Sequence, residues 1–281
     1  IAQANKEQAA SLEEVAVDAQ GAIDTDDLRR VLAAGPTGQG HPTVLCLQAG
    51  NVNTGAVDDL RGACTTAREH GAWVHVDGAF GLWAAASPSL RHLVDGVELA
   101  DSWGCDGHKW LNVPYDSGFA FCSRPEVQTA AMSYTAPYLS GSGAVSGAAD
   151  YTAESSRRAR GFAVWAALQE LGRQGVADLV DRCCAHARHF AEALSEAEIE
   201  VVNDVVLNQV LVAVGGSGPD ADARTDAIIE RIQQEGTCWM GGTTWRGRRL
   251  MRIAVSNHLT TTADVAASVE AVLRAVREID G

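Results

Sequence analysis

Basic residues are scarce in this chain. Its 22 Lys and Arg face 36 Asp and Glu, giving a formal net charge of −14 at pH 7. A surface that acidic repels phosphate backbones and anionic bilayers unless a basic patch is hidden in it. Tight basic clusters are few, Arg157, Arg158 and Arg160 forming one, so neither a nucleic-acid nor a membrane partner is expected. Long apolar runs are lacking too, and none approaches the roughly 18 residues of a membrane span. The seven cysteines are odd in number, scattered, and never spaced as CxxC. That pattern excludes a secreted disulfide framework and points to reduced thiols and a cytoplasmic location. The polar start IAQANKEQ is no signal peptide. It opens on Ile rather than Met, so the native start is expected further upstream.

What is present suits a packed protein. With 46% hydrophobic and 21% charged residues over 281 positions, disorder, collagen and coiled coil are excluded. The length allows one large or two small domains. Strands are expected at 14–18, 43–48, 72–76 and 100–105. Helices are expected at TDDLRRVLAA, capped by Asp24 or Thr25, at 58–70, ended by Gly71, and in a short stretch after Pro88. Such alternation predicts a mainly parallel α/β sheet with right-handed crossovers. From Met132 to Tyr151 the residues are mostly small, which suggests a mobile loop. Helices near 154–172, 175–197 and 222–235 and from 262 follow. Strands near 199–203, 206–214, 237–240 and 249–255 lie among them, predicting a smaller α+β domain. The division is expected at 1–160 and 161–281.

The chemistry concentrates in WVHVDGAFG (73–81) and DSWGCDGHKWLN (101–112). Asp77 directly follows an apolar strand, and Lys109 follows a second one. Ligands of open α/β sheets bind outside the carboxyl ends of the strands, so both side chains can share one crevice. A lysine beside a carboxylate there suits a Schiff-base site, in which pyridoxal phosphate (PLP) needs a lysine for its aldehyde and an acid for its ring nitrogen. A plain surface ion pair is the alternative on these two residues alone.

The surrounding residues resemble those of fold-type-I PLP enzymes, specifically the group II amino-acid decarboxylases, which include the aromatic and glutamate decarboxylases. HVDGAFG is similar to that family's His-Val-Asp-Ala-Ala motif, and DGHKWLNVPYDSG to its His-Lys-Trp segment. The resemblance continues through APYL (136–139), SSRRARGFAVWAAL (155–168) and MRIAVSN (251–257). It implies that Lys109 holds the cofactor aldehyde, that Asp77 partners the pyridinium nitrogen, and that Ala79 lies against the ring. It further places His108 near the phosphate and makes Tyr138 the loop tyrosine that protonates the substrate carbon after CO₂ leaves. A homodimer with its active site near the subunit interface is implied as well.

The chain departs from the family at three places. Gly50-Asn51-Val52 stands where many members have Gly-Thr-Thr, though Asn51 can still hydrogen-bond the cofactor's phenolic oxygen. Asp106-Gly107 stands where the family has Asn-Pro, which puts an anion near the phosphate. No counterpart of the family's glycine-rich phosphate cup or ring-stacking histidine occurs in residues 1–40. Arg252 resembles an arginine that binds substrate carboxylate in aminotransferases, and bracing two domains is its other reading. His75 is a cofactor contact or a core residue.

Several weaker features are expected to be structural. GPTGQG (35–40) reads as a connector. His186 and His189 read as an exposed polar helix face, so no metal site is expected. Trp239, Trp245, Gly241 and Gly242 read as packing, with the lining of a pocket as the alternative. The expected function is PLP-dependent decarboxylation of an L-amino acid to its amine. Another fold-type-I activity, or a catalytically incomplete fragment serving as a structural partner, are the alternatives.

Overall fold

The computed structural model describes residues 12–35, 42–133, 148–154 and 156–281. Helix α1 (Thr25–Ala34) starts where the Asp24 side chain accepts the Asp26 and Asp27 N–H groups, and Gly35 ends it. Strand β1 (Val44–Gln48), helix α2 (Leu60–Glu69, capped by Asp59) and strand β2 (Trp73–Asp77) follow. Three short 3₁₀ turns between Gly81 and Leu99 lead to β3 (Ser102–Asp106) and the one-turn helix α3 (Gly107–Trp110). Strand β4 (Gly118–Cys122) and helix α4 (Pro125–Met132) complete this half.

The sheet order is β1-β2-β3-β4, parallel except for the antiparallel β4. One face is packed: Leu45, Leu47, Val74 and Val76 join Leu60, Ala63, Cys64 and Ala67 of α2 in the main core. The alternate positions Val44, Cys46, His75, Asp77, Ser102 and Gly104 lie on the other face, where Val44, Cys46 and Asp77 are exposed among the described residues. Parallel sheets are ordinarily covered on both sides. Two glycines let the loops beyond β1 and β2 meet backbone to backbone. A Cβ on Gly81 would stand 2.6 Å from the Ala49 carbonyl, and one on Gly50 2.5 Å from Gly81 N.

Helix α5 (Gly161–Glu196) packs against the 3₁₀ turn at Gly81–Ala86 and is broken at Gly172, where φ is 60° and ψ is −175°. Beyond it, β5 (Gln209–Val212), α6 (Ala221–Glu235), β6 (Gly241–Trp245), β7 (Arg248–Ala254) and α7 (Thr262–Asp280) form the second half. Its antiparallel sheet runs β5-β7-β6. Residues of both halves, from Leu28 to Ala275, belong to one continuous core cluster.

Several expected elements moved. Residues 14–18 form no strand, only a Val17–Ile23 bridge around a turn that the Asp18 carboxylate holds. Residues 199–203 also make only a bridge, because the Asn203 side chain bonds Thr54 O, Gln209 O and Leu211 N in place of a ladder. The strand expected at 237–240 lies instead at 241–245. It ends in a two-residue Arg246-Gly247 turn with positive φ at both positions, the geometry of a type I′ hairpin. The helix expected from 154 starts at 161. His186 is buried rather than exposed, its Nε2 3.1 Å from Thr260 O. Trp239 is not packed but 77% exposed. No group of three metal-ligating side chains occurs among the described residues, and no described helix is long and apolar enough to cross a membrane.

Candidate active site

Because β2 and β3 are parallel, their carboxyl ends share one edge of the sheet. Asp77 is the last residue of β2 and pairs in register with Gly104 of β3 and Gln48 of β1. Its Oδ1 accepts the Ala79 N–H at 3.0 Å. Among the described residues no cation pairs with it. Ala79 is thereby fixed directly beside the carboxylate.

Lys109 stands on α3, three residues beyond the end of β3. Its Nζ lies 2.9 Å from Asp106 Oδ2 and 3.7 Å from the centre of the Phe80 ring. An ammonium over a ring face is attracted by the ring's quadrupole. Phe80 follows Ala79 in the turn after β2, so Lys109 reaches the turn that follows Asp77. Lys109 and Lys6 are the only lysines in the sequence.

His108 points its Nδ1 at Ser117, 2.7 Å from the carbonyl oxygen and 3.1 Å from the amide nitrogen. Its ring lies 4.0 Å from that of Tyr115. Its Nε2 is 3.5 Å from Asp106. Arg158 donates to Tyr115 O and Asp116, and Arg160 donates to Asp116 O and Oδ1. The hydrogen bond from Arg160 holds the Asp116 carboxyl below the usual carboxylate range. The basic cluster read in the sequence therefore clamps the segment that lays Tyr115 on His108.

Asn51 turns its side chain to its own loop. Its Oδ1 accepts the Asn53 and Thr54 N–H groups, and its Nδ2 donates to Gln48 Oε1 at 2.9 Å. Arg252 of β7 reaches across the halves and donates to Val52 O at 2.7 Å. Burial lowers its pKa. Tyr138 and the APYL segment lie outside the described residues. Phe80, Tyr115 and Ser102 escaped the sequence reasoning. Phe80 and Tyr115 sit inside the two quoted motifs, and the scarcity of lysine was a further signal in the sequence.

A lysine just beyond one strand end and a carboxylate at the neighbouring strand end of a mainly parallel α/β sheet place the chain in the fold-type-I class of PLP-dependent folds. More narrowly, the chain belongs to the pyridoxal-dependent decarboxylase family, whose conserved domain matches residues 2–214. It is 28% identical over 266 residues to tyrosine decarboxylase 1 of Narcissus pseudonarcissus, covering 89% of this chain and 51% of that protein. It is equally 28% identical over 253 residues to phenylacetaldehyde synthase of Petunia hybrida, covering 85% and 50%. The crystal structure of Oryza sativa TDC with PLP and tryptamine superimposes with a TM-score of 0.90 at 25% identity, over 99% of this chain and 60% of that one. The chain spans about half the length of the curated relatives it matches.

The described residues fit part of the family's cofactor. Lys109 suits its aldehyde and the cation-free Asp77 oxygen suits its ring nitrogen, while Ala79 leaves room for a flat ring. The phosphate end is not supplied by these residues. Asp106, between Lys109 and His108, is itself an anion, and two anions side by side disfavour each other.

Proposed function

We propose that the protein containing this chain decarboxylates an aromatic L-amino acid to its amine, using PLP held by Lys109. The observation that carries this is the convergence of Lys109 and Asp77 on one edge of the parallel sheet, inside a matching decarboxylase domain. The cofactor, when bound, supplies a ring that accepts the electron pair left by departing CO₂. Asp77 holds a proton on the ring nitrogen and so maintains that capacity. Lys109 would hold the cofactor through its aldehyde, and Asp106 and Phe80 orient Lys109 for that.

Tyr138 is proposed as the donor of a proton to the substrate α-carbon, on its likeness to the family's loop tyrosine. An aromatic substrate is supported by the Phe80 and Tyr115 rings flanking Lys109 and His108, and by relatives named tyrosine and tryptophan decarboxylases. A homodimer is part of the proposal, supported by Phe162, Trp165 and Leu168, exposed together on α5. The seven free cysteines are compatible with a cytoplasmic enzyme, and separate sheets in the two halves are compatible with a division near residue 160.

The test is product analysis of the complete, PLP-loaded protein with L-tyrosine, L-tryptophan and L-glutamate. CO₂ and amine in equal amounts from an aromatic substrate support the proposal. A keto acid without CO₂ would assign the protein to transamination.

A further inference from the structure

Lys109 rides on a helix of a single turn. A helix that short has no stability of its own, so whatever grips its two ends sets where the lysine stands. At the front, the Gly107 and His108 N–H groups both donate to Ser117 O, at 2.9 and 3.1 Å. At the back, Trp110 is buried in the main core and Leu111 packs with Val176 of α5. Asn112 comes next, at φ 54°, in the left-handed region where a helix end takes glycine or, less often, asparagine.

The Asn112 side chain joins this turn to the second half. One Nδ2 hydrogen goes to Trp110 O at 2.8 Å, and the other to Ser256 O at 2.7 Å, 144 residues further along the chain. Its Oδ1 accepts the His258 N–H at 3.2 Å, and the His258 Nδ1 stands 3.4 Å from the same oxygen. Two carbonyls at one end and an N–H at the other leave one orientation of the amide that satisfies all three. The segment it grips is itself anchored. Buried Asn208 exchanges two hydrogen bonds with Val255, and Arg182 of α5 donates to His258 O at 3.1 Å.

We propose that Asn112 is a positioning residue for Lys109: its amide clasps the lysine-bearing turn to the Ser256–His258 segment and so fixes where Nζ stands at the sheet edge. The inference rests on the reading of Lys109 as the lysine that holds the cofactor. Asp106 and Phe80 meet that lysine at its tip, whereas Asn112 holds its main chain.

The test compares two variants of the complete protein. Asn112→Gly keeps the left-handed backbone and removes all three bonds. Asn112→Asp keeps the shape and the acceptor for His258, but sets a carboxylate oxygen against the Trp110 and Ser256 carbonyls. Once loaded with PLP, both are expected to release it about 2- to 10-fold faster than wild type, the scale of one net hydrogen bond. The visible circular dichroism of the bound cofactor should weaken with it. Amide exchange in residues 107–112 should quicken in the same variants before any cofactor is added. His258→Ala retains the N–H that Asn112 uses and is expected to match wild type in all three readouts. A strap serving stability alone would lower the melting temperature yet leave dichroism and release rate in folded Asn112→Gly at wild-type values. That result would overturn the proposal. So would a loss in His258→Ala equal to that in Asn112→Gly, which would move the role to the imidazole. A pyridoxyl label on another lysine after borohydride reduction would overturn the reading of Lys109, and the inference with it. The exchange rates, which need no cofactor, tell that failure from a failure of the clasp.

Discussion

Asp77 and Lys109 are held in different ways, and the difference predicts how each responds to change. Asp77 takes one N–H bond from Ala79 and leaves an oxygen free. Lys109 is fixed from two sides, by Asp106 and by Phe80. Asp77→Asn keeps the shape but removes the charge proposed to hold a proton on the ring nitrogen. Turnover should fall roughly 10²-fold or more, as when preorganised electrostatic stabilisation is lost, while reducible PLP stays attached. Steady-state kinetics beside PLP content measures this, and unchanged turnover in a loaded variant would refute the role. Tyr138→Phe keeps the ring but loses the donor, and such proton transfers contribute typically ~10²–10⁴-fold. CO₂ release should then survive better than amine formation, with aldehyde appearing under air. Amine equal to CO₂ at the wild-type rate would exclude Tyr138 as donor. The relatives named above include both a tyrosine decarboxylase and a phenylacetaldehyde synthase.

At the scale of elements, what was legible followed from patterning. The β1, β2 and β3 segments read as strands because short apolar runs end in polar residues at 48, 77 and 106, and that reading located the site. Side chains that replaced backbone partners were not legible. Asn203 and Asp18 satisfy main-chain groups where strands were expected, and no period in the sequence announces that. Strand β4, GFAFC, was not legible because its five residues show no polar alternation, although Asp116-Ser117 and Pro125 bracket it. The break in α5 was placed nearly correctly, between the two expected helices. Gly172 lies at φ 60° and ψ −175° with open space around it, so Gly172→Ala should cost about 1–3 kcal/mol through backbone conformation rather than crowding. A lower urea midpoint with an unchanged slope would show it. At the start of α7, Asp264 accepts the Thr261 hydroxyl and N–H. These bonds hold its carboxyl below the ordinary 3.8. Its folded pKa is thus the lower one, so its contribution is complete above about pH 4 and is lost as pH falls through the folded value. Asp264→Asn should therefore lower stability at pH 7 and flatten the decline in acid, as thermal melts across pH 2–7 would reveal.

For the whole molecule, one core joins both halves, and its polar residues are the places to probe it. Gln209 is fully buried at the start of β5, and neither end of its amide has a partner among the described residues. An unsatisfied buried amide costs about 1–3 kcal/mol. Gln209→Met should therefore be neutral or stabilising by about 1 kcal/mol in chemical denaturation. A marked loss would mean that the amide is bonded in the complete protein. The halves also meet at the site, where Arg252 of the second sheet bonds Val52 beside β1. Sequence reasoning named Arg252 but left its role open, because a single sequence does not show which distant carbonyl an arginine reaches.

The central claim is that Lys109 carries the cofactor. Borohydride reduction of the complete, PLP-loaded protein, followed by peptide mapping, tests it most directly, because only Lys6 competes within these 281 residues. The account predicts a single pyridoxyl group on Lys109, absent in Lys109→Ala. A label on any other lysine, or a full label surviving in Lys109→Ala, would contradict it.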